Sequence, residues 1–147
     1  MYRLAYQLDD FSAAHRLVKG YQGPCAHLHG HNYRVGIEIE SDTLQDYDML
    51  IDFSEIKAVC NSWVQSHLDH GTLVCSLDTN LLDFLRKNNQ KHYVFPNEEN
   101  TTAECLSRVI FEELSQEIKK HPLFSSTRLV SVRVHESARA SAIFRAS

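Results

Sequence analysis

The sequence contains nothing that would separate domains. No internal repeat, low-complexity tract or Pro/Gly/Ser-rich linker interrupts its 147 residues, a length that suits one domain with a core of its own. No apolar run approaches the ~18 residues that a membrane span needs. Met1-Tyr2-Arg3-Leu4 leads straight to Asp9 and Asp10 without the apolar stretch of a secretory signal, so a cytoplasmic protein is expected. A basic excess is also missing. The 15 Lys+Arg against 19 Asp+Glu give a net charge of −4, which argues against a nucleic-acid partner but leaves room for a locally positive pocket. The four cysteines include no Cys-x-x-Cys pair, and in a reducing compartment they are expected as free thiols. With 43% hydrophobic and 23% charged residues, the chain is not depleted in core-forming side chains as disordered chains are. The residue in excess is histidine: nine in all, three of them close to Cys25.

Hydrophobic periodicity supplies the elements. Residues 2–8 and 11–18 read as extended, with Phe11, Ala13, His15 and Leu17 on one face of the second segment. A Gly/Pro-punctuated loop, Lys19-Gly20-Tyr21-Gln22-Gly23-Pro24, follows. Residues 31–40 alternate, Tyr33, Val35, Ile37 and Ile39 against Arg34, Glu38 and Glu40, as a half-buried strand does. Asp52 with Glu55 reads as a capping box. It opens a helix whose stripe is Ile56, Val59, Cys60, Trp63, Val64 and His67. Residues 79–88 predict a short helix and 92–95 a short strand. Thr101-Thr102-Ala103-Glu104 reads as a second capping box before a helix that stops ahead of Pro122. Residues 128–136, with Val130, Val132 and Val134 on one face, and 140–145 predict a hairpin. Hairpins with intervening helices imply an α+β domain with an antiparallel sheet, and open sheet edges favour self-association.

The histidines carry the chemistry. His29 and His31, two apart on a strand, point to the same side. If the preceding strand pairs with theirs, His15 approaches both. Three imidazoles suit Zn²⁺ with one coordination position open, as catalytic sites require, although Fe²⁺ or Ni²⁺ fits the same donors. The competing reading is three core histidines with satisfied hydrogen bonds. His27 is read as a bystander, and His92, His121 and His135 have no motif around them. Cys25, four residues before His29, reads as a base or nucleophile whose thiolate a nearby cation favours, as a fourth ligand, or as an ordinary loop cysteine. Asp69-His70 reads as an acid–base dyad or as a histidine at a helix C-terminus. Glu136 continues the parity of Val130, Val132 and Val134 toward the apolar face. There it needs hydrogen-bond donors, such as the adjacent N–H groups of a ligand, unless the strand end has already reached solvent.

Taken together, Phe11-Ser12-Ala13-Ala14-His15-Arg16-Leu17, Cys25-Ala26-His27-Leu28-His29-Gly30-His31-Asn32-Tyr33, Ile51-Asp52-Phe53-Ser54-Glu55-Ile56-Lys57, Leu68-Asp69-His70, Asn100-Thr101-Thr102-Ala103-Glu104 and His135-Glu136 resemble, in order, the motifs of the 6-pyruvoyl-tetrahydropterin synthase family. The resemblance spans nearly the whole chain. It implies a single tunnelling (T-) fold domain: a four-stranded antiparallel sheet with two main helices on one face. It also implies zinc on His15, His29 and His31, catalytic Cys25, Asp69, His70 and Glu136, and a pterin gripped by Glu136 with help near Thr102. The assembly implied is a homohexamer with active sites between subunits. The Cys25–His29 spacing and Ile51-Asp52-Phe53 resemble the family's bacterial branch, which converts 7,8-dihydroneopterin triphosphate to 6-carboxytetrahydropterin, acetaldehyde and triphosphate in queuosine (7-deazaguanine) biosynthesis. The pyruvoyl-forming branch, a zinc hydrolase and a non-catalytic pterin- or zinc-binding module are the alternatives. The chain departs from the pattern at His27, where Arg is frequent, at Gly71 after His70, and over 72–99, which reads as a helical insertion.

Overall fold

A computed structural model describes residues 1–147. Seven strands are present: β1 (Tyr2–Gln7), β2 (Phe11–His15), β3 (His29–Ser41), β4 (Gly71–Cys75), β5 (His92–Phe95), β6 (Arg128–His135) and β7 (Ser141–Arg145). They form one mixed sheet in the order β5-β4-β2-β3-β6-β7, with β1 also on β3. The 13-residue β3 is its spine. Its first half pairs with β2 and its second half with β1 along the same edge. The chain breaks between these two strands at Asp9, whose backbone N–H donates to Asn61 Oδ1 at 2.8 Å while its carboxylate accepts from Asn61 Nδ2 at 3.0 Å.

The four-stranded antiparallel sheet expected from the sequence is therefore corrected to a larger, mixed one. Antiparallel pairing accounts for β1, β2, β3, β6 and β7, but β4 runs parallel to β2, and β5 parallel to β4. Helix α3 (Thr79–Lys87) crosses between β4 and β5, the helical connection that a parallel pair requires. Its N-cap Asp78 is held in a two-pronged pair with Arg16, both contacts 2.7 Å. Asp78 lies below the usual carboxylate range, first through the Arg16 hydrogen bond and against the opposing effect of burial.

Both main helices pack on the same face of the sheet. One runs through α1 (Phe53–Ile56), a π-helical stretch Lys57–Asn61 and α2 (Ser62–His67); the other is α4 (Ala103–Lys119). Ile56, Cys60, Val64, Leu106, Ile110 and Leu114 meet Val35, Ile37 and Ile39 in one core. The wider π turn shifts the helical stripe, so Leu68 rather than His67 ends in the core, and His67 stacks on Trp63 at 4.6 Å. The expected capping boxes are half formed. Asp52 accepts from Ser54 N at 2.8 Å, while Glu55 lies 3.5 Å from His121. A bulge in β6 corrects one further expectation. Glu38 pairs with Ser131 and Ile39 with Leu129, which puts Val130 out of step, so Leu129, Val132 and Val134 face the core. No helix is long and apolar enough to cross a membrane, and all four cysteines are free.

Candidate active site

Antiparallel register brings the histidines together. His15, the last residue of β2, stands directly opposite His29, the first of β3, and Ala13 opposite His31. The paired residues share the core-facing side, so three imidazoles converge where the apolar face ends. Ring centroids are 4.6 Å apart for His15–His29, 5.2 Å for His15–His31 and 5.0 Å for His29–His31. One nitrogen from each ring lies within 4.8 Å of the other two.

The hydrogen-bond pattern assigns the tautomers of two of the rings. His15 Nδ1 donates to the Thr101 carbonyl at 2.7 Å, with Thr101 Oγ1 at 3.1 Å, and His29 Nδ1 donates to the His27 carbonyl at 2.6 Å. The Nε2 lone pairs are left facing the shared space, and both are buried without a hydrogen-bond partner. Buried orphan acceptors cost free energy, and a cation between them removes that cost. Burial lowers the His15 pKa to about 4, against the opposing hydrogen bond to Thr101 and helped by His29 and His31. A neutral imidazole with its far nitrogen pinned is the form that binds a metal. The donor set thus fits Zn²⁺ with an open position. Glu136, half-buried just past β6, brings Oε1 to 3.8 Å from Nε2 of both His15 and His31, on the side its parity predicts.

Cys25 lies half-buried in a 3₁₀ turn, Pro24–Ala26. Its carbonyl accepts from Leu17 N at 2.9 Å, which ties the loop to the end of β2. Its thiol is not one of the clustered donors, so the fourth-ligand reading falls. The His27 side chain is exposed, and that residue contributes only its carbonyl.

Asp69 and His70 form a dyad. His70 Nδ1 is 2.8 Å from Asp69 Oδ2, and Asp69 Oδ1 accepts from Ser12 N at 3.0 Å. Burial alone would raise the Asp69 carboxyl. Hydrogen bonds from Ser12 and His70, with the charges of His70 and Lys91, hold it below the usual carboxylate range. His70 takes a left-handed backbone (φ 60), and its side chain is 83% exposed. It borders a depression of about 440 Å³ with Ser12, Ala14, Gly30 and Asn32. Ser12, Ala14, Gly30 and Asn32 have the opposite parity to Ala13, His15, His29 and His31, although Ala13 and His31 also line the depression. The dyad therefore stands toward the outward face of the sheet, outside the donor cluster that His15, His29 and His31 form.

The N-cap of α4 falls one residue later than the capping-box spacing predicts. Thr102 is the N-cap of α4, its Oγ1 accepting from Cys105 N at 3.3 Å and its carbonyl from Leu106 N at 2.8 Å. Thr101, fully buried, is the residue that reaches the site. The capping-box spacing from Thr101 to Glu104 concealed this. The only signal was that Thr102 can cap equally well and so release Thr101. Asn100 completes the junction, with Oδ1 accepting from Val18 N and Lys19 N at 3.1 and 3.0 Å.

The sequence matches the family described as 6-pyruvoyl tetrahydropterin synthase over residues 5–147. It is 30% identical over 123 residues to the 6-carboxy-5,6,7,8-tetrahydropterin synthase of Haemophilus influenzae, covering 80% of this chain and 84% of that one. To the enzyme of the same name from Rickettsia bellii it is 29% identical over 121 residues, 82% and 86% of the two chains. Among solved structures, an uncharacterized protein from Wolinella succinogenes superposes with a TM-score of 0.78 at 21% identity, covering 99% and 98% of the chains. Plasmodium vivax 6-pyruvoyltetrahydropterin synthase does so with a TM-score of 0.73 at 20% identity, covering 100% and 99%. The curled mixed sheet with helices on one side is thus the fold of these proteins, and with its match running from residue 5 to the last residue, the chain belongs to the 6-pyruvoyl tetrahydropterin synthase family.

Proposed function

We propose that this chain is a zinc-dependent 6-carboxy-5,6,7,8-tetrahydropterin synthase, a lyase that converts 7,8-dihydroneopterin triphosphate and water to 6-carboxytetrahydropterin, acetaldehyde and triphosphate in queuosine biosynthesis. The observation that carries the reading is the pair of buried, unpartnered Nε2 atoms of His15 and His29 beside His31. That is a metal-donor pattern on a chain whose relatives include 6-carboxytetrahydropterin synthases. The domain is read as one unit over 1–147, acting in the cytoplasm as a homohexamer.

In this mechanism His15, His29 and His31 hold the zinc, which when bound supplies Lewis-acid polarisation to the hydroxyls of the substrate side chain. Cys25 is the base that takes the proton from the adjacent carbon. Asp69 fixes His70 so that the far ring nitrogen is free to pass protons. Because that dyad lies on the outward sheet face, it serves the trio of a neighbouring copy, which is the reason for active sites between subunits. Glu136 accepts hydrogen bonds from the 2-amino and ring N–H groups of the pterin, a planar two-point match. Thr102, its hydroxyl and carbonyl already engaged, adds only its backbone N–H to substrate binding.

A second reading, 6-pyruvoyl-tetrahydropterin synthase, is favoured by the names of the fold neighbours from Plasmodium vivax and Caenorhabditis elegans. Mass spectrometry of the pterin formed from 7,8-dihydroneopterin triphosphate separates the two. A carboxy product supports the first, a pyruvoyl product the second. A chain that binds zinc and pterin without turnover would sink both.

A further inference from the structure

The face of the sheet turned away from the helices has a charge pattern that the reaction above does not use. Register sets it out in rows across the strands. Arg3, Glu40 and Arg128 form one row; Ala5, Glu38, Ser131 and Arg145 the next; Gln7, Gly36, Arg133 and Ile143 the third; Arg34, His135 and Ser141 the fourth. Five of the nine arginines of an acidic chain therefore share one face. Their acidic company is Glu38, Glu40 and the flanking Asp10, 3.8 Å from Arg34.

These charges are unevenly matched. Glu40 is almost fully buried between Arg3, at 2.8 Å, and Arg128. Glu38 accepts from Ser131 Oγ at 2.6 Å and lies 3.7 Å from Arg145. Arg133 has no carboxylate partner; its Nη1 donates to Ser141 Oγ at 3.0 Å. Between Arg133 and Arg145 the sheet dips over Gly36 and Ala5, and the resulting depression holds about 330 Å³. A side chain at Gly36 would meet no atom within 4 Å, so the floor is open.

We propose that this depression binds a polyphosphate-class oxyanion, seated over Gly36 between the guanidinium groups of Arg133 and Arg145. The guanidinium fork matches phosphoryl oxygens geometrically. The two arginines are diagonal neighbours across β6 and β7, whose side chains start about 7–8 Å apart, a span that suits linked phosphoryl groups better than a single phosphate. Gln7 supplies an uncharged donor on the third side. Glu38 opposes binding by holding a negative charge against Arg145. The inference rests on the outward face alone and stands whether or not the proposed reaction is correct.

The test is isothermal titration of the full-length, metal-loaded protein with inorganic tripolyphosphate, and with orthophosphate for comparison. The expected result is tripolyphosphate binding at least about tenfold tighter than orthophosphate, weakened by added salt. Arg133→Gln should weaken it about tenfold, Arg133→Lys less, and Glu38→Gln should tighten it. The double variant R133Q/R145Q should abolish it while circular dichroism reports an intact fold. No binding by the parent protein, equal affinity for the two anions, or binding that survives in the folded double variant (an anion held at the histidine trio instead) would each overturn the proposal. If R133Q/R145Q does not fold, the Glu38→Gln and Arg133→Lys series decides, and affinity unchanged across that series overturns the proposal.

Discussion

His15 and Thr101 lie 86 residues apart in the sequence, with His15 Nδ1 2.7 Å from the Thr101 carbonyl oxygen. The contact joins the end of β2 to the N-terminus of α4, so docking of that helix and orientation of a metal-ligand candidate are one event. Thr101→Val keeps the carbonyl and the side-chain volume and deletes the hydroxyl at 3.1 Å. Loss of such an outer partner is expected to weaken metal affinity about tenfold. Competition against a chelator of known affinity measures it, and an unchanged dissociation constant would show that the carbonyl alone orients the ring.

Acid should destabilise the metal-free protein through the same histidine. Its pKa falls from the ordinary 6.5 to about 4 in the folded chain. Between those values the unfolded chain binds the proton and the folded one does not. The stabilising contribution is therefore complete above pH 6.5 and is lost as the pH falls toward 4. It amounts to roughly 3 kcal/mol by linkage. Urea melts of metal-stripped protein across this window should show a falling midpoint, with a shallower fall in His15→Gln. Identical profiles for the two proteins would contradict the assignment.

The outward position of His70 makes a prediction about assembly. His70→Ala and His31→Ala should each lower turnover by at least about 10²-fold. Mixing the two inactive variants under conditions of subunit exchange should restore a measurable fraction, because a mixed interface can combine an intact trio with an intact dyad. No recovery in demonstrably mixed oligomers would place the dyad and the trio in separate functions.

Cys25 distinguishes the synthase from a zinc hydrolase. Cys25→Ala should bind metal with parent affinity, since the thiol is outside the donor cluster, and should lose activity by about 10³-fold or more. Turnover close to the parent's would mean that the thiol is incidental and that metal-activated water does the chemistry.

The trio was legible because period-2 alternation is strict in both strands. Ala13 and His15 share parity in β2, as do His29, His31 and Tyr33 in β3, and the 16–28 loop closes the pair. The core helices were legible from their stripes. Two things were not. Strand β4 is five residues long and mostly apolar, a pattern that any buried segment can produce, and its parallel pairing with β5, the short strand expected over 92–95, is decided by α3 crossing between them. The side on which Asp69-His70 stands was hidden too. It depends on β4 pairing with β2 and on the left-handed turn at His70, whose peptide N–H donates to Ser12 O at 2.7 Å. Neither is a local property of the Leu68-Asp69-His70 triplet.

The most direct test of the account is the amount of acetaldehyde released per 7,8-dihydroneopterin triphosphate consumed, measured before and after the metal is stripped. A metal-dependent synthase of the carboxy type releases one acetaldehyde per pterin, stops when stripped, and resumes when zinc is restored. Pterin consumed without acetaldehyde, or acetaldehyde formed equally well by the stripped protein, would contradict it.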